Sequence, residues 1–236
     1  VNADAPKPDV ALLRKYRIRI TILLIGGLLF VAVLSAAYRA INTLHVLNAV
    51  ELERDQWQRA SDVIASLELR KGSSVADLGS GAGYFSLKLA RAVGVSGRIL
   101  AEDIRRTPLI FLRIRALSYG LHNVDVIMGD SDDPHLPVGT LDAVLIANSY
   151  HEFSAPESML GHTLRSLRPG GRLVVLDRRP DDSGQDAERQ HEVSSAVVEA
   201  QVRKSGFNIL HRKDDFIDHS GERWWLLIAT PVSTEQ

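Results

Sequence analysis

Residues 75–90 read VADLGSGAGYFSLKLA: an apolar run, an acid at Asp77, glycines at Gly79, Gly81 and Gly83, then an amphipathic helical pattern. Few folds require that succession. Glycines at alternate positions remove Cβ atoms where a chain turns sharply from strand to helix, and they let a ligand touch the backbone. A tight turn with no ligand is the plain alternative. A dinucleotide fingerprint needs G-x-G-x-x-G, and Tyr84 stands where its last glycine belongs. No Gly-Lys-Ser/Thr follows, which excludes a nucleoside-triphosphate P-loop. Asp77 would repel a pyrophosphate and attract a ligand's ammonium group.

Around this loop the hydrophobic period alternates. Short apolar runs predict strands over 74–78, 98–104, 124–128, 141–147 and 172–176, with helical patterns over 84–93, 108–119 and 158–167 between them. A further helix is expected over 188–205, then two strands over 207–213 and 224–230. Strands alternating with helices predict an α/β fold with a mostly parallel sheet covered on both faces. Arg168-Pro169-Gly170-Gly171 reads as a turn before a strand. There is no internal repeat.

Residues 20–38 carry no charge, and nineteen helical residues reach about 28 Å, close to the hydrocarbon thickness of a bilayer. A transmembrane anchor, a cleaved signal peptide and a buried helix compete for this stretch. The run is longer than the roughly 7–15 apolar residues of a signal peptide, although Ser35-Ala36-Ala37 resembles a cleavage site. The anchor is the expectation. It divides the chain into a tail (1–17), a transmembrane helix (18–40), a helical linker (41–72, broken near Asp55 or Ser61) and a domain (73–236). Lys7, Arg14, Lys15, Arg17 and Arg19 precede the span, whereas only Arg39 and Arg54 follow closely. The positive-inside rule therefore puts the domain on the non-cytoplasmic side. A net charge of −1 offers no field to recruit nucleic acid, and the absence of cysteine excludes disulfides and thiolate chemistry.

These motifs resemble the class I S-adenosylmethionine-dependent methyltransferases, over residues 55–231. The resemblance implies a Rossmann-like seven-stranded sheet with a reversed last strand and S-adenosyl-L-methionine as cofactor. It implies that Asp77, Gly79, Ser80, Gly81, Gly83 and Tyr84 form the first cofactor motif. Asp103 in ILAEDI, with Glu102 beside it, takes the place of the acid that holds the ribose hydroxyls. Asp130 and Ser131 in VIMGDSDD fall where the adenine amino group is contacted. LDAVLIANSYHEF, with Asn148, matches the strand where cofactor and acceptor meet, and LRSLRPGGRLVVLD matches the next helix, turn and strand. DDPHLP, GGRLVVLDRR and QHEVSSAVVEAQVRKSGF narrow the likeness to bacterial methyltransferase-domain proteins. The chain departs from the family at Arg105-Arg106-Thr107-Pro108, where a small polar residue and a proline are usual. It also lacks the Asn/Asp-Pro-Pro-aromatic motif of enzymes that methylate nucleic-acid amino groups, so nucleic acid is not the expected substrate.

An activated methyl donor leaves the protein to position an acceptor and remove its proton. Tyr150, His151 and Glu152 are the candidate catalytic groups, with His191 and Glu192 beyond them. His151 suits a general base at neutral pH, and a structural hydrogen-bond pair with Glu152 is the bland alternative. No spacing suggests a metal site. The expected function is a membrane-anchored methyltransferase acting on a small, lipid-like or protein acceptor, in the bacterial inner membrane. The alternative is a non-catalytic subunit of the same fold within a membrane complex. The charge rule and the cytoplasmic origin of the cofactor pull in opposite directions.

Overall fold

The computed structural model describes residues 10–180 and 192–232; His191 and the start of the helix expected over 188–205 lie outside the described residues. The chain divides into two units, residues 1–50 and residues 51–236.

The first unit is described by one helix, α1 (Val10–Trp57), whose last turns belong to the second unit. By length and composition this is one helix able to cross a membrane. Its large apolar side chains, Leu23, Leu28 and Phe30 among them, are exposed.

The second unit is a seven-stranded sheet of order β3-β2-β1-β4-β5-β7-β6. The strands are β1 (Ser74–Leu78), β2 (Arg98–Asp103), β3 (Val124–Met128), β4 (Leu141–Ala147), β5 (Leu167–Arg178), β6 (Phe207–His219) and β7 (Glu222–Pro231). The first five are mutually parallel, and β7 runs antiparallel between β5 and β6. This is the Rossmann-like sheet that the sequence predicts. Strands β1 and β4 are buried on both faces, hence their nearly unbroken apolar runs.

The helices sort onto the two faces. Val75, Ile99, Ala101 and Leu145 pack with α2 (Ala60–Ser66), α3 (Tyr84–Val93) and α4 (Arg106–Ser118). Ala76, Leu78, Leu100 and Ile146 pack with α5 (Pro156–Ser166) and α6 (Ser195–Lys204).

Two expectations are corrected. The Arg168–Gly171 stretch lies inside β5 as an irregularity in its pairing with β4, where the register shifts between Leu141 and Ala143. The expected linker is also not a separate piece. Glu51 onward belongs to the globular unit, the helix breaks at Arg59 in a left-handed conformation (φ 53°), and Ala60, Val63 and Leu67 are core residues.

Candidate active site

Strand order reverses between β1 and β4, and in open parallel sheets ligands bind outside the carboxyl ends of the strands at such a point. The glycine loop emerges there and runs into α3. Its three glycines do different work. A Cβ on Gly79 would lie 2.4 Å from Ser149 Cβ, and one on Gly83 2.2 Å from Leu112 Cδ1, so these two are required by packing. Gly81 is left-handed (φ 54°), and a Cβ there would meet nothing within 4 Å. The loop therefore has open space on that side. Ser80 Oγ is buried without a hydrogen-bond partner, and α3 begins at Gly83 with no side-chain cap. Uncapped N–H groups and an orphaned hydroxyl beside an open glycine fit a polar ligand.

Three carboxyl groups converge under this loop. Asp77 ends β1, is buried, and accepts from Ser86 Oγ at 2.5 Å. Burial pushes its carboxyl up to about 6, and Asp103 adds to the shift. Glu102 lies on the opposite face of β2, accepts weakly from Gly79 N at 3.4 Å, and leaves Oε1 unpartnered. Burial raises it to about 7, with Asp103 and Asp77 contributing. Asp103 accepts from Gly81 N at 2.9 Å and from Arg105 N at 2.8 Å. The exposed Arg105 side chain also reaches it, Nε at 3.2 Å and Nη2 at 3.4 Å.

Beyond β3, Asp130 and Ser131 are exposed, and Asp130 pairs with His135 Nε2 at 3.2 Å. Beyond β4, Asn148 is left-handed (φ 57°) and accepts from Arg178 Nε at 3.1 Å. A single 3₁₀ turn, Tyr150–Glu152, follows. Its three candidates separate. Tyr150 is buried and donates its hydroxyl to Gln201 Oε1 on α6 at 2.8 Å, so it is committed to packing. Burial holds its phenol well above the ordinary range. His151 places Nδ1 2.8 Å from Oδ1 of Asp177, which is fully buried. In the neutral tautomer that donates Nδ1–H to Asp177, Nε2 carries the lone pair. Glu152 is half-exposed, with Oε1 3.8 Å from His151 Nε2. Among the described residues no cluster of three His, Asp or Glu side chains is placed to hold a metal.

Two sets of residues went unread in the sequence. Asp177 ends β5 as Asp77 ends β1, and that parallel was the available signal. The second set ties the last turns of α1 to the glycine loop. Arg115, buried on α4, donates to Ala82 O at 2.6 Å and to Glu51 Oε1 at 2.7 Å, with a second contact to Glu51 Oε2. The Arg54 guanidinium stacks 4.1 Å over the Tyr84 ring. Nothing in the local pattern marks these contacts, since they join residues 33 and 64 positions apart.

A family model described as a methyltransferase domain matches residues 75–171. The ubiquinone/menaquinone biosynthesis C-methyltransferase UbiE of Azotobacter vinelandii is 34% identical over 122 residues, 51% of this chain and 47% of that protein. The chain thus matches about half the length of such relatives. A SAM-dependent methyltransferase from Aquifex aeolicus superposes with a TM-score of 0.66 at 23% identity, covering 74% of this chain and 90% of that one. The [4+2]-cyclase SpnF superposes at 0.65 with 21% identity, covering 75% and 82%. At such identities both likenesses establish the fold alone.

Proposed function

We propose that the globular unit is an S-adenosylmethionine-dependent methyltransferase, tethered to a membrane by the apolar stretch of α1. One observation carries this reading: Asp77 and Asp103 lie beneath a glycine loop that is open at Gly81, at the reversal of strand order. S-adenosylmethionine supplies a sulfonium-activated methyl group when bound. Asp103 accepts from the ribose hydroxyls, for which the exposed Arg105 side chain gives way. Asp77 faces the ammonium end, while Gly79, Ser80, Gly81, Gly83 and Tyr84 shape the floor. Asp130 and Ser131 border the adenine edge, and Asn148 lies between cofactor and acceptor.

On the acceptor side, His151 Nε2 takes up the acceptor's proton while Asp177 holds Nδ1–H and stabilises the imidazolium. Glu152 lies at the rim and Tyr150 supports the turn from behind. The acceptor is a small, lipid-like molecule met at a membrane. The relatives' printed role in quinone biosynthesis and the exposed apolar face of α1 support that class. The basic residues before the span favour a non-cytoplasmic domain. Protease digestion of intact spheroplasts tests that side: a protected domain overturns it.

A non-catalytic subunit is the second reading. Its supporting observation is that Arg105 already occupies Asp103. Calorimetric titration with S-adenosylmethionine decides between them. Charge-assisted hydrogen bonds are worth about 1.5–3 kcal/mol, so Asp103→Ala should weaken binding roughly 10- to 150-fold. Arg105→Ala should not weaken it, and His151→Ala should leave affinity unchanged while lowering turnover. A wild type that does not bind the cofactor ends the enzyme reading.

A further inference from the structure

The last turns of α1 place a cation, without an ionic partner among the described residues, at the mouth of the glycine loop. Arg54 donates through Nε to Gln58 Oε1 at 2.7 Å and lies on the Tyr84 ring. Among the described residues no carboxylate comes within ion-pair distance of it, and its Nη groups have no hydrogen-bond acceptor. The two acids on its own helix are committed elsewhere. Glu51 is taken by Arg115, and Asp55 accepts from the Tyr84 hydroxyl at 2.8 Å and pairs with Lys88 at 2.8 Å.

Fixing Arg54 in this position has a cost. Gln58 is fully buried and turns its oxygen to Arg54, leaving its own Nε2 without a partner. Burial holds the guanidinium below its ordinary range, although Tyr84, Glu51 and Asp55 attract it and offset part of that shift. A desolvated cation and an unsatisfied amide are unfavourable unless an anion arrives to compensate them.

The surroundings define that anion. Tyr84 opens α3, so the guanidinium stands beside an uncapped helix N-terminus, which also favours negative charge. Asp77 lies within the field of Arg54, at the end of β1. Asp103 and Glu102 are nearby acids that would repel a phosphate dianion. A carboxylate joined to an ammonium group satisfies both signs at once.

We propose that Arg54 receives the carboxylate of the cofactor's amino-acid end, which makes the last turns of α1 a wall of the cofactor site. The assignment rests on the S-adenosylmethionine reading above. It is tested on the full chain in detergent by calorimetric titration with S-adenosylmethionine and with its decarboxylated analogue. Wild type should prefer the carboxylated ligand by about 10-fold or more. In Arg54→Gln the preference should fall to within about 3-fold, chiefly through loss of the carboxylated ligand. Arg54→Met, whose stem still packs on Tyr84, must show the same collapse. An unchanged preference in the two variants, or an equal loss of both ligands, overturns the role of Arg54 while leaving the cofactor reading intact. A wild type that binds neither ligand overturns that reading as well.

Discussion

At the scale of single residues, the crevice is an electrostatic compromise. Asp77 would ionise near 3.8 in water, and burial moves it to about 6; Glu102 moves from 4.5 to about 7. The folded protein therefore holds these protons more tightly than the unfolded chain. That contribution to stability is complete below about pH 4 and is lost as pH rises through 6 to 7. For Asp77, the rise from 3.8 to about 6 corresponds to about 3 kcal/mol. Asp77→Asn, which keeps the shape and removes the charge, should raise stability at pH 8 by about that amount and change it little at pH 4. It should also weaken cofactor binding, because the charge that strains the fold is the one that attracts the ammonium group. Urea unfolding followed by tryptophan fluorescence is suited to this, since Trp57, Trp224 and Trp225 all lie in the globular unit. If the variant is no more stable at pH 8 than at pH 4 relative to wild type, the buried charge is not the source of strain.

At the scale of elements, the glycine loop separates fold from function within five residues. Gly79→Ala drives a Cβ onto Ser149 and should cost stability, whereas Gly81→Ala meets only the strain of its left-handed backbone, about 1 kcal/mol. Gly81→Val should instead block the cofactor, so melting temperatures and titrations of these variants should fall in opposite order. Equal melting temperatures for Gly79→Ala and Gly81→Ala would contradict the assignment. The loop's two neighbours, β1 and α3, were legible in the sequence to the residue, as were β3 and β4; in β1 and β4 the runs are buried on both faces, which leaves little ambiguity. Where the pattern misled, a partner strand decided. Gly170 and Gly171 signal a turn, yet pairing of Leu141 with Leu167 draws them into β5. Likewise β6 continues to His219 through a polar stretch because β7 supplies its hydrogen bonds. The site follows the same rule. Asp77 and Asp103 stand next to their own signals, an apolar run and a strand end. Arg54 and Arg115 acquire meaning only from residues far along the chain, and Asp177, though marked by its strand end, gains its role from His151.

At the scale of the whole molecule, the boundary between units falls inside α1 rather than at its end. Glu51 neutralises the buried Arg115, and Trp57 stacks on His219 at 4.7 Å and lies 6.0 Å from Trp224. A chain cut before Glu51 keeps all of these contacts; one cut before Ala60 loses them together with Arg54. Removing one partner of a buried ion pair costs about 3–5 kcal/mol, a large share of a domain's stability. Residues 51–236 should therefore be soluble without detergent and bind S-adenosylmethionine within about 3-fold of the full chain, since no charged contact to the site is removed. Residues 60–236 should melt lower and bind poorly. The same pair of truncations tests the anchor, because only the full chain should stay with membranes through an alkaline wash. If residues 51–236 sediment with membranes too, attachment does not reside in the apolar stretch of α1. If residues 60–236 bind the cofactor like the full chain, the end of α1 is no part of the site.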